Sequence, residues 1–396
     1  MLDKGSAPIL IRETRVVHFK APLEKPYRTT FGAMTHRQAV IITLTSDDGF
    51  TGVAESWVNF PLWAPAERAA AFMQGYFPWI VGREIADIPL FIRGLWDCQY
   101  RAALQSATLG PTLQALCAVE AALRDIEAKK RGLPLAQLFS ESPARKVKVY
   151  ASGINPPFLE DSISGALDAG IGTFKLKLGY GDDRDRENIR ALKKLLGHSA
   201  RIAVDVNRSW SFDHTMAWMD FLVQNEVAWL EEPLSIEEQH RYPELEERAA
   251  VPISAGENFL IPPGADFDCE GEGGLTLNGS GLALDMVQPA VVKNCCFSDA
   301  VRLMARVEGE GKRLCPHFLG SAPGMAATAH LTSLSRSPYL EWDINPNPLR
   351  TSLFAEPFRI ADGVFSILDA PGIGWTLRPD IPESWRAYDG TVSADK

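Results

Sequence analysis

Three acids in this 396-residue chain are set apart by their spacing: Asp205, Glu231 and Glu257 follow one another at intervals of 26 residues. Each closes a short apolar run, RIAVDV, VAWLEE and PISAGE. One strand-plus-helix repeat takes up about that many residues, so the three carboxylates are expected at one height on consecutive strands. Brought together they repel one another unless a cation lies among them, and an all-oxygen set without Cys or His favours Mg²⁺ over zinc. The preceding run, TFKLKL, ends in Lys175 and Lys177, which point to the same side of a strand. Each ammonium makes the other easier to deprotonate, so one of the pair is expected to have a lowered pKa, and Lys177 is a candidate base. His317 closes the run RLCPHF across the mouth from the lysines and is a candidate general acid or base. Glu341, in YLEWD, is held as a further hydrogen-bonding group. Taken singly, each is more ordinarily a surface or core residue; their recurrence at successive run ends points to proton abstraction next to a metal-held carboxylate.

These residues need a frame that repeats. From residue 144 the chain alternates short apolar runs with helical stretches, and eight runs can be counted: 147–152, 173–178, 201–206, 227–232, 252–257, 284–289, 313–318 and 339–343. Seven intervening segments can hold helices, which predicts an α/β protein with a modified (β/α)7β TIM-type barrel over residues 144–344. An open doubly wound sheet is the structural alternative, but no G-x-G-x-x-G follows the first run. The segment between the fifth and sixth runs, with its Gly-rich stretch at 262–281, reads as a long loop. Residues 1–143 open with alternating apolar and polar stretches at 10–20 and 38–56, with Asp48-Gly49 as a turn. They continue with helical periodicity that stops at Gly132, so they read as an α+β domain. Residues 345–396, rich in Pro and Gly, are expected to return and pack on that first domain.

The bulk composition narrows the class. Apolar residues make up 46% and charged residues 23%, as in ordinary globular proteins. A net charge of −10, with no Lys/Arg track, disfavours nucleic acid as a partner. No run reaches membrane-span length and the first residues carry no signal-type segment, so no membrane partner and a cytoplasmic location are expected. Six cysteines, two of them adjacent, do not make a disulfide framework. They are read as reduced and structural, Cys315 included. His214, His240 and His330 fall in helical stretches and are given no chemistry.

On these residues the chain resembles the mandelate racemase subgroup of the enolase superfamily. The matching pieces are FKLKLG, DVNRSW, WLEEP, GENF, PHF and LEWD. The resemblance implies that the N-terminal region and the C-terminal tail form a capping domain whose loops close over a small carboxylate substrate. It also implies that Lys177 is the base and Lys175 its helper, that Asp205, Glu231 and Glu257 hold Mg²⁺, and that the protein is a homo-oligomer. Asn207, Lys293, Glu341, Arg28 and Trp57 are then candidate substrate-binding residues. One departure stands out: where the subgroup places an aspartate that pairs with the histidine, QPAVVKNCC has Ala290. Without that partner His317 is expected to be a poorer base but an adequate proton donor. The expectation is therefore a sugar-acid dehydratase, a lyase. A racemase or epimerase is the alternative, and a family member that keeps the ion but has lost turnover is a third reading.

Overall fold

The computed structural model describes residues 7–29, 32–198, 200–267 and 284–394. Strands β1 (Ile9–Thr29), β2 (Gly32–Ser46) and β3 (Thr51–Ser56) form an antiparallel sheet. Gly49 takes a φ of +86° at the β2–β3 turn, a conformation open to glycine because it lacks a Cβ. Helix α1 (Ile88–Gln105) packs against α2 (Leu109–Lys130), which covers β2 and β3. Asp87 caps α1 by accepting the Leu90 N–H at 2.8 Å. Helix α2 is buried along most of its length and ends at Gly132, whose φ is +65°.

The barrel strands run in parallel and in chain order: β4 (Lys146–Ile154), β5 (Thr173–Lys177), β6 (Arg201–Asp205), β7 (Leu230–Glu231), β8 (Ile253–Ala255), β9 (Met286–Val287) and β10 (Arg313–Leu314). Strand β11 (Tyr339–Asp343) pairs in parallel with β4, Glu341 opposite Tyr150, and so brings the eighth strand back to the first. Between β10 and β11 no ladder is formed among the described residues, although the Cys315 thiol reaches the Tyr339 carbonyl at 3.2 Å. Six helices follow strands one to four, six and seven: α3 (Glu160–Asp168), α4 (Asp182–Leu196), α5 (Phe212–Gln224), α6 (Tyr242–Arg248), α7 (Phe297–Gly309) and α8 (Ala322–Thr332). After the fifth strand the described residues, up to 267, are not helical; 268–281 of the Gly-rich stretch lie outside the described residues. The last strand, β12 (Arg386–Ser393), lies antiparallel against the outer edge of β1.

Tyr150, Ala203, Trp229, Met286 and Cys315, with Tyr339 packed on them, form a separate apolar cluster drawn from six of the barrel strands and their flanks. Lys175 stands 5.6 Å above the Tyr150 ring, so the polar residues rest on a dry base. Burial drives the Cys315 thiol up to about 12, in keeping with a packing role. His330 is likewise buried, its pKa pushed down to about 4, and its Nε2 lies 3.1 Å from the Ile373 carbonyl. Among the described residues no helix is long and apolar enough to cross a membrane.

Candidate active site

Parallel register places the chemistry. Lys177 lies opposite Asp205, and Asp205 opposite Glu231, on adjacent strands, with Glu257 two residues beyond the end of β8. The chain turns sharply just past two of these ends. Asn207, Arg208 and Glu232 take φ values of +45°, +61° and +44°, a region that costs energy for any residue with a Cβ and tends to occur at functional sites. The Arg208 N–H donates to the Glu232 carbonyl at 2.7 Å and helps hold the two turns against each other.

Five carboxylates are buried here: Asp205, Glu231, Glu232, Glu257 and Glu341. Lys175 is fully enclosed, paired with Glu231, 2.7 Å from Glu341 Oε1 and 3.8 Å from Asp205 Oδ2. Lys177 is paired with Asp205. Burial works against both ammonium charges, but the carboxylates outweigh it and raise both pKa values. This corrects the expectation of a lysine made easy to deprotonate by its neighbour: Lys175 does lower Lys177, and Asp205 more than offsets it. Burial pushes Glu231 up to about 8 and Glu232 up to about 7, with neighbouring carboxylates adding to the rise. The lysines therefore do not neutralise all of this charge. An all-oxygen donor set with surplus negative charge suits a hard divalent cation.

The side chains do not all converge. Among the described residues, the trio whose ligand atoms lie within 4.8 Å of one another is Glu231, His317 and Glu341. Asp205 is turned towards Lys177, and Glu257 Oε2 lies 2.7 Å from His317 Nδ1.

The expectation for His317 is overturned. Ala290 is buried and offers no acid, but Glu341 Oε2 stands 2.8 Å from Nδ1, in addition to Glu257. These are ion-pair contacts, since neither Nδ1 nor Glu257 Oε2 is aligned for a hydrogen bond. Burial opposes the imidazolium, and the two carboxylates more than reverse that, raising His317 to about 9. Asn294, which follows the alanine, is spent on structure: its side chain accepts from the Ala290 N–H at 2.7 Å and donates to the carbonyls of Gly256 and Phe259, both at 2.6 Å.

A cavity of about 460 Å³ opens over the site. Lys177, Asn207, Glu257, Lys293, His317 and, from the capping side, Trp57 line it. Lys293 Nζ lies 3.6 Å from Glu257 Oε1 and 4.8 Å from the centre of the Trp57 ring, and donates to Asn258 Oδ1 at 2.9 Å. Asn207 Oδ1 and Trp57 Nε1 are buried without a hydrogen-bond partner among the described residues. Glu341, expected to meet the substrate, does not line the cavity and is taken up by protein groups: Ser152 Oγ at 2.5 Å, the Phe318 N–H at 2.8 Å, Lys175 and His317. The side chain of Arg28 lies outside the described residues.

Sequence reasoning missed Gln288, which donates to Glu231 Oε2 at 2.7 Å, and Asn258, which donates to Glu232 Oε2 at 2.8 Å. Both sit just past strand ends, as Glu232 does, so the rule that found the acids could have found them too. Tyr27, on β1, and Arg37, on β2, also line the cavity and carried no such signal.

Comparison with known proteins agrees with this architecture. Residues 11–140 match the family model described as mandelate racemase/muconate lactonizing enzyme, N-terminal domain. Residues 159–265 and 280–381 match the one described as enolase C-terminal domain-like. A D-galactarolactone cycloisomerase from Agrobacterium fabrum is 25% identical over 386 residues, 93% of this chain and 96% of the relative. The L-talarate/galactarate dehydratase of Salmonella typhimurium is 27% identical over 354 residues, 87% of this chain and 81% of the relative. Among solved structures, an L-talarate dehydratase from Polaromonas sp. JS666 complexed with Mg and L-glucarate superposes with a TM-score of 0.76 at 24% identity, covering 97% of this chain and 99% of that one.

Proposed function

The chain belongs to the mandelate racemase/muconate lactonizing enzyme family, and from that premise we propose that it is a Mg²⁺-dependent sugar-acid dehydratase that removes the proton α to a carboxylate. One observation carries the reading: Lys177 and His317 line one cavity above a buried cluster of carboxylates that its lysines leave with surplus negative charge. Asp205, Glu231 and Glu257 would hold the ion. Bound there, Mg²⁺ would polarise the substrate carboxylate and draw off some of the negative charge that now supports the proton on Lys177.

Lys177 Nζ takes the α proton, and the C–H electron pair moves towards the carboxylate. Lys175 stays charged between Glu231 and Glu341 and stabilises the second negative charge as it develops. His317 gives a proton to the β-hydroxyl, which leaves as water while the double bond forms. Asn207 and Lys293 orient the acid. Trp57 and the walls exclude bulk water, which strengthens each of these interactions.

Contact with Glu341 removes the argument that His317 is too weak a base for racemisation. The preference for dehydration now rests on the dehydratase relatives, and isomerisation stays the second reading, favoured by the cycloisomerase relative. A member that binds the ion without turnover would have no use for Lys177 and His317 in the cavity wall. A homo-oligomer is expected from the family resemblance, and light scattering of the purified protein tests it. Incubating the protein with sugar acids in D₂O, with and without Mg²⁺, tests the function: deuterium at the α carbon of recovered acid, and a 2-keto product carrying deuterium at C3 where the enol ketonises, are expected only with the ion. Turnover without α-proton loss would sink the proposal.

A further inference from the structure

The cavity has a second pole that the proposed chemistry does not use. Arg37, on β2, and Asp343, at the end of β11, line it, with Arg350 packed against the same carboxylate. Both arginines are 5% exposed and Asp343 is 1% exposed. Arg37 donates from Nη2 to Asp343 Oδ2 at 2.6 Å and from Nε to the Pro346 carbonyl at 3.0 Å. Asp343 Oδ1 accepts the Asn345 N–H at 2.9 Å and its Nδ2 at 2.8 Å. Arg350 brings Nη1 to 3.6 Å from Oδ2, but its Nε and Nη1 make no hydrogen bond among the described residues.

Two guanidiniums thus share one carboxylate, which leaves this group with one positive charge in excess, buried against a cavity wall. An uncompensated buried charge is unfavourable unless a partner arrives. Asp343 does not need Arg37 to stay neutralised, because Arg350 is already at hand. Arg37 can therefore turn its planar fork to an incoming anion, and that fork matches a carboxylate with two parallel hydrogen bonds. Tyr27, whose ring lies 5.1 Å from the Arg37 guanidinium, would hold it in place from the other side.

We propose that this pole binds a second carboxylate of the substrate, so that the enzyme acts on dicarboxylic sugar acids, with one end at Lys177 and His317 and the far end on Arg37. The inference rests on the proposed proton abstraction and adds the class of acid.

The test compares matched six-carbon acids, an aldarate and the aldonate of the same configuration, on the full-length protein with Mg²⁺. The wild-type chain should favour the diacid in kcat/KM by about 10- to 100-fold, the range of charge-assisted hydrogen bonds. Arg37→Gln should remove that preference mainly through the diacid KM and leave the monoacid within about threefold. Arg350 remains to neutralise Asp343, and the wild-type comparison stands even where the variant folds poorly. Equal or better use of the monoacid by the wild-type chain overturns the inference. So does an Arg37→Gln variant that lowers both classes alike, the behaviour of a purely structural ion pair. α-Proton exchange with neither class would overturn the underlying reading, and this one with it.

Discussion

The two ends of the cavity are built on opposite electrostatic plans. At the chemical end five buried carboxylates outnumber the four cationic groups beside them, Lys175, Lys177, Lys293 and His317, so with every group ionised the surplus is one negative charge. At the far end two guanidiniums outnumber Asp343, and the surplus is positive. Each surplus names what that end can receive, a cation at one and an anion at the other. The origins differ as well. The acids, lysines and histidine of the chemical end all come from the barrel, most of them at or just past strand ends, whereas the far end joins a cap strand to the segment around strand eight.

The largest effect is expected at the chemical end. Glu231→Gln removes one carboxylate from the proposed ion site, so Mg²⁺ affinity should fall by more than the 10- to 100-fold typical of outer-shell partners, and turnover should be lost. Calorimetry showing unchanged affinity would remove Glu231 from the ligand set. Next in size, Asp343→Asn leaves Arg37 and Arg350 buried together without a counter-charge. A loss of about 3–5 kcal/mol of stability is expected, read by denaturant unfolding; a loss near zero would mean that the far end is not a charged cluster.

The cap also touches the barrel just beyond strand seven, through Glu55. Its carboxylate is 2% exposed and accepts the Ser321 N–H, the Ser321 hydroxyl and the Gly324 N–H at the start of α8. Gly320 and Gly324 leave room for it, since a Cβ on either would come within 2.6 Å of a Glu55 oxygen. Burial raises Glu55 to about 7, against the ordinary 4.5, with those hydrogen bonds pulling the other way. A raised carboxyl stabilises the fold fully below its unfolded pKa, and that contribution is lost as pH rises through the folded one. Its share of stability should therefore decline by about 2–3 kcal/mol between pH 4.5 and 7. Glu55→Gln should flatten that part of the stability profile, and an unchanged profile would contradict it. The smallest effect belongs to Arg350→Gln, which removes the reserve partner of Asp343. Substrate must then compete with Asp343 for Arg37, and the diacid KM should rise about tenfold at nearly constant kcat. A KM unchanged by this variant would show that Arg350 plays no such part.

The chemical end could be read from the chain because a barrel repeats. Asp205, Glu231 and Glu257 share one period, so one spacing located three residues, and the same strand-end rule located Lys177 and His317. The far end had no period to show. Arg37 sits in mid-strand on β2, and only the pairing of the cap against strand eight brings it to Asp343. The partners of His317 were hidden for a related reason: sequence could show that Ala290 removes an acid from strand six, but not that Glu341 and Glu257 lie on the same imidazole. The lysine pair was misjudged because the effect of Lys175 on Lys177 is local in sequence, whereas the opposing carboxylates come from other strands.

The most direct test is α-proton exchange in D₂O, followed by NMR on six-carbon sugar acids with the wild-type chain, Lys177→Ala and His317→Asn, each with and without Mg²⁺. Exchange should require the ion, fall by about 10²–10⁴-fold in Lys177→Ala, and persist in His317→Asn, where only loss of water is blocked. Exchange that proceeds without Mg²⁺ and survives Lys177→Ala at the wild-type rate would contradict metal-assisted proton abstraction by this lysine.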